Sequence, residues 1–313
     1  MQIALQILLL VGGLGLALVA SDVAVSYTRA LAVALRAPPF IVGVVLVAIG
    51  TDLPEIANSI ASHLEGEGDV NVGDSVGSTL TQYTFVLGLF PALVAVIAID
   101  RLQVGLVTIL TAVGLALTIV FVADGWLGRL EGVALVSAWG VATAVLVRAL
   151  PSRAVDEAPR VRVRRRPLQV VVVLATLGFV GLGATVAVRA LVHLADLAGV
   201  PEFAIAFFGA SLGTSAPELV VDFTALARGA PAIALGDALG SSLVDSTLSI
   251  GAGPIVAPAA VTADLAVTAG VYTLAAVAVT GGLLAARRRH DRLSGLVLLA
   301  LYALSYVVLI RAA

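Results

Sequence analysis

Gly50-Thr51-Asp52-Leu53-Pro54-Glu55 lies in the middle of an apolar run, and Gly213-Thr214-Ser215-Ala216-Pro217-Glu218 repeats it at an offset of 163 residues, in a run just as apolar. A carboxylate at membrane depth is costly and marks a functional site by default. A proline four residues after a glycine removes one helical hydrogen bond and obstructs its acceptor, so both runs are expected to break there. Carbonyls freed at the break, hydroxyls and carboxylates together make a setting for a hard cation.

The rest of the composition agrees with a chain that lives in lipid. Of 313 residues, 60% are hydrophobic and 12% charged, and mean hydropathy is +1.10. A soluble domain of this length needs far more charged surface. The sequence has no Cys, which excludes disulfides and thiol chemistry, and no Lys, so its 18 basic residues are all Arg. The N-terminal apolar run begins at once, without a basic segment or a small-residue cleavage site, and is expected to be a retained helix.

Ten runs are long enough to span a bilayer: 2–20, 38–63, 70–97, 103–123, 130–149, 168–197, 201–227, 231–258, 264–285 and 293–311. The mildly apolar segment 21–37 either extends the first helix or forms an interfacial turn. The connections after spans 1, 3, 5, 7 and 9 hold Arg29 and Arg36, Arg101, a cluster of seven from Arg148 to Arg166, Arg228, and Arg287, Arg288, Arg289 and Arg292. Those are 15 of the 18 Arg residues, so these connections are expected to be cytoplasmic and both termini outside. The polar segment Pro151–Arg166 separates a first five-helix unit, 1–150, from a second, 168–313, with 151–167 as a basic cytoplasmic linker.

Residues 38–91 align without gaps on 201–254. The identities are mainly of types that are rare or specially placed in spanning helices: Pro38/Pro201, Gly50/Gly213, Thr51/Thr214, Pro54/Pro217, Glu55/Glu218, Gly73/Gly236, Asp74/Asp237, Gly77/Gly240, Ser78/Ser241 and Thr84/Thr247. Because each half has an odd number of spans, the second copy must enter from the opposite side. The fold class expected is therefore an all-α polytopic membrane protein, ten transmembrane helices in two inverted five-helix repeats, with helices 2 and 7 broken at a midplane site. Glu55 and Glu218 should face each other across the pseudo-two-fold axis. Ser78 with Gln82, and Ser241 with Asp245, lie four apart on one helical face. The candidate ligand set is thus Thr51, Asp52, Glu55, Ser78, Gln82, Thr214, Ser215, Glu218, Ser241 and Asp245. Glycines at 73, 77, 236 and 240 have the spacing that lets helices approach closely.

These paired motifs, G-T-x-x-P-E followed by G-S, resemble the α-1 and α-2 repeats of the sodium/calcium exchanger family, within the cation/calcium antiporters. The resemblance covers helices 2–3 and 7–8. It implies that Thr51, Glu55 and Ser78 in the first repeat, and Thr214, Ser215, Glu218, Ser241 and Asp245 in the second, bind the transported ions, and that helices 1 and 6 slide as a pair across the rest. The family usually has Ser where this chain has Asp52, and Asn or Asp where it has Gln82. Four carboxylates in one low-dielectric pocket cannot all stay charged without several cations or a proton.

The function expected is secondary antiport of Na⁺ against Ca²⁺ in a prokaryotic cell membrane, by alternating access, with no cofactor. The alternative is exchange of another divalent ion, Mg²⁺ or Mn²⁺, or coupling to H⁺ or K⁺. Inorganic cations and the lipid bilayer are the expected partners, with no nucleic acid; the oligomeric state stays open. An intramembrane aspartyl protease built on Gly73-Asp74 and Gly236-Asp237 is disfavoured, because it leaves Glu55 and Glu218 idle. A passive channel is disfavoured by the broken, inverted repeat. Asp52 reads as a ligand, a proton carrier or a cap on the broken helix, and Asp74 and Asp237 as caps near helix starts. Asn58, Ser59 and Asp222 read as lining ion paths, His63 as interfacial, and Trp126 and Trp139 as interface anchors.

Overall fold

The computed structural model describes residues 2–150, 166–197 and 215–312; the linker 151–165 and the first arm of the seventh span, with Gly213 and Thr214, lie outside them. Among the described residues the chain is helical almost throughout. The first half runs α1 (Gln2–Leu35), α2 (Pro39–Val42), a π-helical turn (Gly43–Val47), α3 (Ala48–Thr51), α4 (Leu53–Glu65), α5 (Gly68–Thr81), a second π turn (Gln82–Val86), α6 (Leu87–Leu93), α7 (Arg101–Val122) and α8 (Arg129–Ala149). The second half runs α9 (Arg166–Leu197), α10 (Ala216–Ala227), α11 (Pro231–Leu243), a third π turn (Val244–Ser249), α12 (Ile250–Val256), α13 (Ala263–Arg287) and α14 (Arg292–Ala312). Joined across their breaks, these make five spans in the first half and four in the second, with α10 as the described part of one more. Large apolar side chains cover the outside, Leu8, Val120, Leu130 and Leu296 among them, as a lipid-facing surface requires.

The segment 21–37 resolves in favour of helix: α1 continues to Leu35. Its polar residues meet protein instead of lipid. Ser21 is buried and its hydroxyl donates to the Val220 carbonyl at 3.3 Å, Asp22 pairs with Arg228, and Arg29 donates to the Arg228 carbonyl at 2.8 Å. At about 1.5 Å per residue, the 34-residue α1 and the 32-residue α9 far exceed a hydrocarbon core of about 30 Å. They pack along each other through small residues. A Cβ on Gly13 would sit 2.6 Å from the Gly183 carbonyl oxygen, and one on Gly183 would sit 2.7 Å from that of Gly13.

Two short antiparallel ladders join the halves. β1 (Val96–Ala98) follows the third span and pairs with β4 (Arg289–Asp291), which follows the ninth. β2 (Trp126–Leu127) follows the fourth span and pairs with β3 (Ala259–Ala260), which follows the eighth. One span separates β1 from β2, so the ladders close opposite ends of the bundle. Trp126 lies in β2, half-exposed. Trp139 departs from expectation: it lies in the middle of α8 and packs against the core, because an indole facing protein needs no headgroup layer.

The glycines of the second repeat are used as expected. A Cβ on Gly236 would lie 2.3 Å from the Phe40 carbonyl oxygen, and one on Gly240 would lie 2.5 Å from Val44 Cα, so α11 crosses the first half backbone to backbone. For Gly73 and Gly77 no neighbour lies within 4 Å among the described residues.

Candidate functional site

Pro54 breaks its helix, and Pro217 opens a helix in the same way. Asp52 separates α3 from α4 with φ −81° and ψ 5°, and the two arms meet at a 44° bend. Ser215 precedes α10 with φ −89° and ψ 9°. Pro54 and Pro217 fall in the first turn of the new helix, where a missing N–H costs nothing. Glu55 and Glu218 therefore occupy the first turn of α4 and of α10, where unpaired amides and the helix dipole favour negative charge.

This geometry brings the halves together. One carboxylate oxygen from each of Asp52, Glu55 and Glu218 lies within 4.8 Å of the others, and all three side chains are buried. Asp245 lies in the third π turn and Gln82 in the second, at equivalent positions of the two repeats and outside that 4.8 Å cluster. Ser78, Ser215 and Ser241 are buried as well. Thr51 is held between the halves: its hydroxyl lies 3.1 Å from the Ala48 carbonyl, 3.4 Å from Asp237 Oδ1 and 3.4 Å from Ser241 Oγ. Of the ten expected ligands, the nine that are described are buried; Thr214 lies outside the described residues.

What distinguishes seven of these nine is what they lack; Thr51 and Ser241 have partners. Asp52 Oδ2, Glu55 Oε2, Ser78 Oγ, Gln82 Oε1, Ser215 Oγ, and both carboxylate oxygens of Glu218 and of Asp245 have no hydrogen-bond partner among the described residues. Buried polar atoms are normally satisfied, because an orphan keeps its full desolvation cost. No ion pair reaches the four carboxyls among the described residues; Arg228–Asp22, Arg287–Asp291 and Arg289–Asp291 lie elsewhere. A cluster of orphaned oxygens with no cation of its own can be satisfied by an external cation, and hard oxygen donors suit a Na⁺- or Ca²⁺-like ion over a soft metal.

Several expectations are corrected. Asp52 sits at the cap position of α4, yet its side chain makes no capping bond; its carboxyl turns to Glu55 and Glu218 instead. Asp74 and Asp237 are not caps either. Each is the seventh residue of its helix, α5 or α11, and Asp74 accepts from Asn58 Nδ2 at 2.6 Å. Ser59 is buried, its hydroxyl accepting the Gly253 N–H at 2.9 Å. His63 is buried rather than interfacial: Nδ1 lies 2.7 Å from the Ala257 carbonyl and Nε2 lies 2.9 Å from Asn71 Nδ2, and Asn71 also donates to the Ile250 carbonyl at 3.0 Å. These bonds join the hairpin α4–α5 to α12.

The π turns were missed by the sequence reading, although a trace of them is in the repeat. Thr84 and Thr247 are equivalent, and each hydroxyl donates to the carbonyl one turn back, Leu80 at 2.6 Å and Leu243 at a shorter distance. An added residue per turn leaves carbonyls misdirected, and a threonine four residues on can satisfy one.

Comparison with known proteins agrees with this arrangement. The family model described as sodium/calcium exchanger protein matches residues 5–148 and 168–311. The chain is 28% identical over 261 residues to the inner membrane protein YrbG of Escherichia coli, covering 80% of this chain and 79% of that one. It is 33% identical to the sodium/calcium exchanger MaX1 of Methanosarcina acetivorans over 87 residues, 28% of this chain and 25% of that one. Its fold is similar to that of the sodium-calcium exchanger NCX_Mj, solved after soaking with 10 mM Na⁺ and zero Ca²⁺, with a TM-score of 0.82, 23% identity, and coverage of 97% of this chain and 99% of that chain. With both halves matched and the inverted repeat closed around one buried cluster of acids, the chain belongs to the sodium/calcium exchanger protein family, an integral membrane secondary transporter and not an enzyme.

Proposed function

We propose that this chain exchanges Na⁺ for Ca²⁺ across a prokaryotic cell membrane by alternating access at the Asp52–Glu55–Glu218–Asp245 centre. The observation that carries the reading is the set of buried, unpartnered oxygens contributed by both halves to one place. Thr51, Ser78, Gln82, Ser215 and Ser241, with Thr214, complete the ligand set. Fixed charge makes occupancy mutually exclusive: one divalent ion or several monovalent ions neutralise the same carboxylates, which is what couples the two flows. The long helices α1 and α9, packed as a pair, would move against the remaining helices to expose the centre to one side and then the other. The family match and the similarity to the sodium/calcium exchanger MaX1 support this reading.

A second reading is favoured by Asp52, whose repeat twin is Ser215. An added acid could take a further cation or a proton, so coupling to H⁺ or K⁺, or carriage of Mg²⁺ or Mn²⁺, is the rival. Proteoliposomes loaded with Na⁺, with K⁺ or with a pH gradient, each followed for Ca²⁺, Mg²⁺ and Mn²⁺ uptake, separate the two. Uptake of Ca²⁺ driven by outward Na⁺ and abolished without it is expected; uptake driven by the pH gradient alone would favour the rival. For orientation, we propose both termini outside and Pro151–Arg166 cytoplasmic, from the placement of Arg. A single cysteine introduced at residue 158 of this Cys-free chain should label from the inside, and labelling from the outside alone would reverse the topology.

A further inference from the structure

The second repeat holds a pair of acids that the centre above does not use. Asp222 lies one turn beyond Glu218 on α10, toward the Arg228 end, and Asp237 lies in the middle of α11, which packs against α10. Both are completely buried. Their carboxyls are neighbours between the two packed helices, yet two carboxylates have no proton to share between them. Neither oxygen of Asp222, nor Asp237 Oδ2, has a partner among the described residues. Asp237 Oδ1 faces the Thr51 hydroxyl at 3.4 Å.

The first repeat shows the same positions in a satisfied form. The twin of Asp237 is Asp74, which accepts from the Asn58 amide at 2.6 Å. The twin of Asp222 is Ser59, whose hydroxyl accepts the Gly253 N–H. The twin of Asn58 is Val221, which has nothing to donate. Between the repeats, then, an amide donor has become an apolar side chain and a hydroxyl has become a second carboxylate. Burying two like charges together with no donor is costly unless something positive sits with them.

We propose that Asp222 and Asp237, with the Thr51 hydroxyl, form a second cation subsite beside the main centre, and that it takes a monovalent hard cation of the Na⁺ class. The four carboxylate oxygens and one hydroxyl fall short of the six to eight oxygens that Ca²⁺ takes, and the absence of nitrogen or sulfur donors disfavours softer metals. Thr51 touches Ser241 on the main centre and Asp237 on the subsite, so it connects the two. The inference rests on the reading that cations bind at the main centre.

The test counts bound ions on the purified, full-length protein by equilibrium dialysis with radiolabelled Na⁺, with and without saturating Ca²⁺. Wild type is expected to keep one Na⁺ per chain when Ca²⁺ fills the main centre. Asp222→Ser, which installs the residue of the first repeat, and Asp222→Asn should each lose that ion while holding Ca²⁺ within a few-fold of wild type. Retention of the same Na⁺ by both variants overturns the subsite, as does a wild type that keeps none under saturating Ca²⁺. The wild-type count decides the matter even if a variant fails to fold. Failure of the main reading looks different: wild type would then bind no Ca²⁺ at all, whatever its Na⁺ count.

Discussion

Replacing Asp52 by Ser gives the first repeat the residue of its twin, Ser215, and removes one acid of the centre; the effect can be sized. The oxygens of Asp52, Glu55 and Glu218 lie within 4.8 Å of one another, so an ion seated among them is within about 4 Å of the Asp52 charge. At that distance, with an effective dielectric near 20, each unit charge of the ion interacts by about 4 kcal/mol. Repulsion among the acids is present with or without the ion and drops out of the difference. Relaxation and partial neutralisation cut such values by a factor of about 2–3, leaving roughly 1.5–2 kcal/mol for a monovalent ion and twice that for a divalent one. Asp52→Ser should therefore weaken Na⁺ binding by about 10–30-fold and Ca²⁺ binding by about the square of that factor, shifting preference toward Na⁺ while leaving exchange measurable. Isothermal titration of each ion at fixed ionic strength, with flux in proteoliposomes beside it, reads both quantities. Equal losses for the two ions, or no loss for either, would show that Asp52 adds no charge to the centre.

Other consequences follow from the packing. Gly236→Ala places a methyl 2.3 Å from the Phe40 carbonyl oxygen, a backbone atom that cannot swing away, so a loss of about 1–3 kcal/mol or more should appear as a lower melting temperature and a poorer yield of monodisperse protein. His63→Ala strips the partners from Ala257 and Asn71 and should cost about 1–3 kcal/mol in thermal stability; an unchanged melting temperature would show that the link between α4 and α12 carries little. Outside the membrane, Asp291 caps α14 and exchanges bonds with Ser294. The Ser294 N–H, then Arg287, hold its carboxyl at about 2, below the usual 3.8. The lowered value means its contribution is complete above about pH 4 and is lost as pH falls through about 2. Asp291→Asn should accordingly lower the melting temperature at pH 7 and lower it much less at pH 2.

Much of this molecule can be read from its repeat. Pro54 and Pro217 announce the breaks, because no proline can continue the hydrogen bonding of the preceding turn. Glu55, Glu218 and Asp245 announce the centre, because no Arg lies within the same spans to account for them. The extent of α1 was not legible, since Ser21 and Asp22 look like a helix end until Val220 and Arg228 are brought against them. Nor was the burial of His63, whose partners lie on α5 and just beyond α12. The π turns depend on which carbonyls the neighbouring helices leave free, and their one sequence trace, Thr84 and Thr247, is ambiguous in isolation. The pairing of Asp222 with Asp237 required the packing of α10 on α11, because the first repeat carries Ser59 at the equivalent position and gives no hint of a second acid.

The central claim is that the two halves build a single shared centre, and equilibrium binding of radiolabelled Ca²⁺ to purified Glu55→Gln and Glu218→Gln tests it most directly. Each change removes one charge from the same cluster, so each variant alone should lose nearly all Ca²⁺ binding while remaining folded and monodisperse. If either variant instead keeps half of the wild-type Ca²⁺, or binds it with unchanged affinity, the halves bind independently and the shared centre does not exist.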